Sequence, residues 1–290
     1  MITCVCSGHN GRLGNSMFQY AAMIGTAEKN GYGCVFDYND RGHLGNGFNL
    51  SFPKHMSREE QENNIKVKYS QPKYCYDEKT ENLGEWTDIH GYFQTSKFFE
   101  GSEDIIRKEF TPIDEVKNSC DNLIKEVRSA NKGRRILSIH IRRGDYLFLS
   151  DHHPPLSLDY YNKAFFDTLG NLNSHIPVIF SDDIPYCKEV FNDTAIYAEG
   201  GTSFHDMYLM SLCDDHIIAN SSFSWWGAWL NPNPNKKVFF PSEWFGPAAS
   251  LNYRNGSGEF SMCPPEWNCI DVEDKSVPLP TYHPDSIKGL

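Results

Sequence analysis

From Arg135 onward, short apolar runs of strand length take turns with stretches of helical period. Arg135 to Ile141, Val178 to Phe180, Ala195 to Tyr197, His216 to Ala219 and Val238 to Phe240 read as strands. Leu158 to Leu169 reads as a helix capped by Ser157, and another opens at Asp183 with Pro185 in its first turn. A chain that alternates in this way returns each strand to the sheet by a crossover, so the strands pair in parallel with helices on both faces. That predicts a doubly wound α/β sheet. Beyond Pro241 the chain is rich in Pro, Ser and Asn without a period, which predicts an irregular surface tail.

The first half follows the same plan less regularly. Ile2 to Cys6, Cys34 to Phe36, Ile65 to Tyr69 and Asp88 to Phe93 read as strands, and Asp37 to Asn64 as loop. Met17, Ala21, Ile24 and Ala27 share one helical face that Gly31 ends; Val116, Cys120, Leu123 and Val127 mark a second helix running out at Asn131-Lys132-Gly133-Arg134. The chain of 290 residues is long for one domain. The polar run is therefore read as a boundary between a domain of residues 1–132 and one of residues 133–290.

Charge and cysteine usage narrow the function classes. A formal charge of −11 disfavours nucleic acid and anionic membrane as partners. No apolar run approaches the roughly 20 residues that span a bilayer, so peripheral contact at the inner face of a cell membrane is the most that is expected. The nine cysteines include no CxxC pair and no zinc spacing. Met1 leads into a strand-like run without the features of a signal peptide, and a reduced, cytoplasmic protein is expected.

In doubly wound sheets ligands bind beyond the carboxyl ends of the strands, so four segments stand out. The first is Gly8-His9-Asn10-Gly11-Arg12-Leu13-Gly14-Asn15, where glycines ahead of a helix let backbone N–H groups approach an anion; an ordinary tight turn is the alternative. A P-loop and a GxGxxG fingerprint are both excluded by spacing. The second is His140-Ile141-Arg142-Arg143-Gly144-Asp145. Alternation puts His140 and Arg142 on one face and Ile139 and Ile141 on the other, and a guanidinium fork suits diphosphate oxygens; the alternative is a surface ion pair with Asp145. The third, Ser181-Asp182-Asp183, offers a carboxylate for a base or ribose, or in Asp183 merely a helix cap. The fourth, Asn220-Ser221-Ser222-Phe223-Ser224-Trp225-Trp226, gives a hydroxyl-rich helix start suited both to capping and to phosphate, with the tryptophans read as core.

Together with Met17-Phe18-Gln19-Tyr20-Ala21 and Gly91-Tyr92-Phe93-Gln94, these segments resemble the bacterial galactoside α-1,2-fucosyltransferases of glycosyltransferase family 11, in order and spacing as far as about Pro241. The His-x-Arg-Arg-x-Asp segment alone is shared with α-1,6- and protein O-fucosyltransferases. Ser16 departs from the family, where Gln is expected. The resemblance implies a GT-B-like arrangement of two Rossmann-like domains facing a cleft, with GDP-L-fucose as co-substrate, a terminal β-galactoside glycan as acceptor, inversion at the anomeric carbon, and no metal or other cofactor. It also implies that Gly11, Arg12, Gly14 and Asn15 with Ser221, Ser222, Phe223 and Ser224 surround the diphosphate, beside Asn220 and Arg143. Arg142 would neutralise the β-phosphate, and His140 with Asp182 or Asp183 would recognise guanosine.

An inverting transfer needs a base near the acceptor hydroxyl, and Asp145 is the candidate because it follows the donor arginines so closely; equally, it is placed to orient Arg143. Acceptor contacts are assigned to Tyr92, Phe93 and Gln94. Two other readings share most of these features: a fucosyltransferase acting on a peptide or core glycan, and a nucleotide- or carbohydrate-binding protein without turnover.

Overall fold

A computed structural model describes residues 1–7, 11–37, 44–72, 75–167, 173–248 and 262–272. The first half holds β1 (Ile2–Thr3), α1 (Leu13–Lys29), β2 (Val35–Phe36), β3 (Lys54–His55), α2 (Arg58–Asn64), β4 (Val67–Ser70), β5 (Thr87–His90), α3 (Glu103–Glu109) and α4 (Asp114–Ala130). Strands β1, β5 and β4 pair in parallel in that order. A parallel bridge between Ile2 and Cys34 links them to the β2–β3 pair. The stretch read as loop between Asp37 and Asn64 thus contains β3 and α2. What starts α2 is a capping box, with the Ser57 hydroxyl accepting from the Glu60 N–H while the Glu60 carboxylate accepts from the Ser57 N–H.

The second half holds β6 (Arg135–Ile141), α5 (Leu158–Asn162), β7 (His175–Ser181), α6 (Ile184–Phe191), β8 (Ile196–Tyr197), α7 (Ser203–Ser211), β9 (Asp215–Ile217), α8 (Ser222–Leu230), β10 (Val238–Pro241) and β11 (Asn268–Ile270). They form one six-stranded parallel sheet in the order β11-β10-β9-β6-β7-β8. Winding runs outward in one direction from β6 and in the other from β9. The carboxyl ends of β6 and β9 therefore flank the switch point of a Rossmann-type sheet.

Three local expectations need correction. The helix from Leu158 is α-helical for little more than a turn and then widens into a π-helical segment, Lys163–Asp167; residues 168 and 169 lie outside the described residues. Ser157 precedes it without capping it, its hydroxyl buried and without a partner. The tail is not wholly irregular, since β11 extends the sheet beside β10 and Met262, Cys263 and Trp267 are buried.

The core explains why the two halves hold together. Leu137, Ile139 and Ile141 pack with Tyr160 and Tyr161 on one side of the six-stranded sheet. On the other side a single apolar cluster continues from Ile136, Val178 and Phe180 through α7 and α8 into α1, α3 and α4. Phe18 of α1 lies 4.6 and 4.9 Å, ring to ring, from Trp225 and Trp226 of α8, and Phe99 stacks on Trp226 at 5.5 Å. Replacing a ring of this kind by Ala typically costs about 3–5 kcal/mol. As read from the sequence, these tryptophans are core. No disulfide joins any of the nine cysteines, and among the described residues no helix is long and apolar enough to cross a membrane.

Candidate functional site

A cavity of about 790 Å³ opens at the switch point, beyond the carboxyl ends of β6, β7, β9 and β10 and against the N-termini of α1, α7 and α8. Most of its wall comes from residues at the carboxyl ends of strands or the starts of helices. That is why polar groups gather there: the backbone N–H groups of a first helical turn and the last side chains of parallel strands face the same space.

Arg142 is the centre of its charge. Alternation along β6 turns His140 and Arg142 into the cavity while Ile139 and Ile141 enter the opposite core, as expected. The guanidinium pairs with Asp182 at 2.9 Å through Nη1 and with Asp145 through Nη2, and lies 5.3 Å above the Tyr146 ring. Tyr146 is fixed in turn, donating its hydroxyl to the Asn220 carbonyl at 3.0 Å and stacking on His153. With its side chain only 15% exposed, Arg142 is held in one orientation. Arg12, at the start of α1, reaches the other oxygen of Asp145 at 3.4 Å. Asp145 pairs with Arg142 and Arg12, whereas the guanidinium of Arg143 is held by Asp183, so the expectation that Asp145 orients Arg143 is overturned.

Arg143 lies elsewhere. Its side chain is buried, paired with Asp183 at 3.1 Å and stacked 3.5 Å over the Tyr186 ring, away from the cavity wall. Asp183 also accepts from the Tyr186 N–H and caps α6, the structural role foreseen for it. Of the two neighbouring carboxylates only Asp182 lines the cavity, where it accepts from the Arg143 backbone N–H at 2.9 Å.

Two helix starts meet at the opposite wall. Ser221 caps α8 by accepting from the Phe223 N–H, and the Ser222 hydroxyl and Gln94 Nε2 both donate to Asn15 Oδ1, each at 2.7 Å. Gly14 is pressed against this junction: a Cβ there would lie 2.6 Å from the Ser222 carbonyl carbon, while its own carbonyl accepts from Trp226 Nε1 at 3.0 Å. Gly11, with φ of +94°, adopts the left-handed conformation that favours glycine. Residues Gly8, His9 and Asn10 of the same loop lie outside the described residues. Ser16 is buried and its hydroxyl bonds back to the Arg12 carbonyl. Ser224 is buried as well and donates within its own helix start, so it supports the turn without facing the cavity.

The assigned acceptor residues divide similarly. Phe93 is fully buried against Phe98 and takes a positive φ of 52°, so it belongs to the core and not to a sugar contact. Gln71 Oε1 accepts from the N–H groups of Tyr92 and Phe93, and Gln19 Nε2 donates to the Gly91 carbonyl. These bonds hold the strained turn so that Gln94 reaches the cavity. Tyr92 is half-buried and does not line it.

The electrostatics distinguish two further groups. Burial, and secondarily the charge of Arg142, push the His140 imidazole down to about 3, so it is neutral at physiological pH; its ring lies 5.5 Å from that of Phe223. Asp206, in the first turn of α7, was not singled out in the sequence, where an acid at that place reads as a dipole partner. It lines the cavity, its carboxylate makes no hydrogen bond among the described residues, and burial pushes its pKa up to about 6. Among the described residues, the buried side-chain atoms without a hydrogen-bond partner include Gln94 Oε1, His140 Nδ1, His153 Nδ1 and Asn220 Oδ1, all of cavity-wall residues. Orphaned polar atoms concentrated in one cavity mark it as a place for a polar ligand. Among the described residues no group of three His, Cys, Asp or Glu side chains is arranged to hold a metal ion.

Residues 5–245 match the family described as Glycosyl transferase family 11. The O-antigen biosynthesis glycosyltransferase WbnK of Escherichia coli is 34% identical over 165 residues, 54% of this chain and 55% of that protein. An alpha-1,2-colitosyltransferase of Escherichia coli is 34% identical over 190 residues, 62% of this chain and 61% of that protein. The chain thus matches somewhat over half the length of these two relatives. A galactoside 2-alpha-L-fucosyltransferase of Mus musculus is 25% identical over 293 residues, covering 90% of this chain and 79% of that protein. Among solved structures, fucosyltransferase NodZ from Bradyrhizobium shares the fold with a TM-score of 0.51 at 14% identity, over 80% of this chain and 92% of that one. The architecture is GT-B-like.

Proposed function

The chain belongs to glycosyl transferase family 11, and on that premise we propose that it transfers L-fucose from GDP-β-L-fucose to the 2-hydroxyl of a terminal β-galactose, with inversion. The observation that carries this reading is the setting of Arg142: a fixed guanidinium at the switch point, facing the N-termini of α1 and α8 across the cavity. In the proposed reaction the acceptor oxygen attacks the anomeric carbon as the bond to the β-phosphate oxygen breaks, and GDP leaves with the electron pair. Negative charge grows on that phosphate. A preorganised cation and free backbone N–H groups stabilise it most where it develops, without a metal ion. Asp145 takes the acceptor proton, and Gln94 lies on the acceptor side.

Recognition of guanine is assigned to Asp206 in place of Asp182 or Asp183. Asp183 is committed to Arg143 and the α6 cap, and Asp182 to Arg142 and the Arg143 N–H. Asp206 is the cavity carboxylate without such partners, and two carboxylate oxygens complement the pair of N–H donors on the guanine edge. GDP should therefore inhibit far better than ADP or UDP, and Asp206→Asn should narrow the gap; equal inhibition by the three nucleotides removes the assignment. Turnover is tested by supplying GDP-fucose with a panel of terminal β-galactosides and reading the product linkage by NMR. A product with another linkage, or none, favours the peptide/core-glycan or the non-catalytic reading. The colitosyltransferase relative supports one competing donor, so a nucleotide-activated colitose belongs in the same panel.

A further inference from the structure

Both terminal nitrogens of Arg142 are already committed, one to Asp182 and the other to Asp145. A diphosphate that grips this guanidinium must displace a carboxylate, and the two are not equally easy to move. Asp182 also accepts from the Arg143 N–H at 2.9 Å, and its Oδ2 lies where a Cβ on Gly144 would meet it at 2.4 Å, so it is boxed in by backbone. Asp145 sits on the 3-10 turn Gly144–Leu147 with its side chain 35% exposed. Its other oxygen reaches only Arg12, at 3.4 Å, and the Arg12 side chain is itself 67% exposed. The same carboxylate thus covers both guanidinium groups that face the cavity.

We propose that Asp145 is an internal competitor for the diphosphate: the donor takes its place on Arg142 and Arg12, and the carboxylate so released turns to the acceptor hydroxyl. The inference rests on the reading of the cavity as a GDP-sugar site and adds to it an order of events. While it bridges Arg142 and Arg12, both of its oxygens are occupied and neither is turned to an acceptor. Released from them, one oxygen is free to face the acceptor hydroxyl. Donor binding therefore creates the base, and acceptor binding follows it.

Calorimetry with GDP on the wild-type protein, Asp145→Asn and Asp145→Glu tests the competition. Removing one negative charge beside the diphosphate should tighten GDP binding about tenfold at low ionic strength, with the gain shrinking as salt is added. Asp145→Glu should restore affinity close to wild type. A residue that merely braced the arginines would weaken binding when lost, so the direction of the change separates the two roles. GDP binding by Asp145→Asn equal to or weaker than wild type overturns the competition, whereas a wild-type protein that does not bind GDP removes the reading of the cavity itself. Initial-rate kinetics of the wild-type enzyme give a test that needs no variant. GDP should be competitive with the donor and noncompetitive with the acceptor; acceptor-first or random binding overturns the proposed order.

Discussion

Replacing Arg142 by Lys keeps the charge and removes the fork. The arginine makes two carboxylate contacts from its two terminal nitrogens and packs over Tyr146, whereas an ammonium on a flexible stem presents its donors from one point. One charge-assisted hydrogen bond is therefore lost, worth about 1.5–3 kcal/mol. At about 1.4 kcal/mol per factor of ten, this corresponds to roughly a 10- to 150-fold fall in rate if the bond strengthens as GDP departs. GDP affinity should fall less, about three- to tenfold, because the ground-state charge is still matched. Asp182 keeps its bond from the Arg143 N–H, so folding should be nearly unaffected. The assay is kcat for fucosyl transfer beside GDP affinity by calorimetry and Tm by scanning calorimetry. Wild-type turnover would refute the placement of Arg142 at the leaving group, and equal losses of kcat and affinity would reduce it to a ground-state clamp.

Three further outcomes follow from the same geometry. Gly14→Ala places a methyl 2.6 Å from the Ser222 carbonyl carbon and 2.7 Å from the Phe223 nitrogen, backbone atoms that cannot swing aside, so about 1–3 kcal/mol of stability should be lost together with GDP affinity; an unchanged Tm contradicts it. Asp206→Asn should stabilise the protein at pH 7 by up to about 2–3 kcal/mol. Burial raises this carboxyl from 3.8 to about 6, so the wild-type penalty appears as pH rises from about 4 to about 6, and the variant's advantage should vanish below pH 4; thermal melts at both ends of that window check it. Transfer should survive EDTA, because Arg142 and two helix starts are assigned the diphosphate; a strict requirement for added magnesium or manganese, restored on readdition, would count against the donor site.

The legible parts of the site were those set by local rules. Strand period alone oriented His140 and Arg142 together, and cap chemistry alone placed Asp183 and Ser221. Arg143 follows the same alternation to the side of Ile139 and Ile141, against Tyr186 and Asp183, and was placed at the diphosphate only by the family resemblance. Phe93 resembled a sugar platform until its burial and positive φ made it the anchor of a turn, a matter of tertiary contacts with Phe98 and Gln71. Asp206 became part of the site only through strand order, which brings α7 to the cavity; nothing in its neighbouring residues marks it. Strand β11 was hidden for a related reason, since it pairs with β10 across a long intervening segment and carries no period of its own.

The apolar cluster that runs without interruption from α1 to α8 bears on how such chains can be recombined. A chimera spliced between α4 and β6, meant to join the first half of one relative to the second half of another, would cut through the contact of Phe18 and Phe99 with Trp225 and Trp226, and would separate Asn15 from Ser222. The halves are not interchangeable cartridges. Any graft that preserves folding has to carry the α1–α8 seam with it; on the proposed function, the turn around Gln94 would then be the smaller unit in which to exchange acceptor preference.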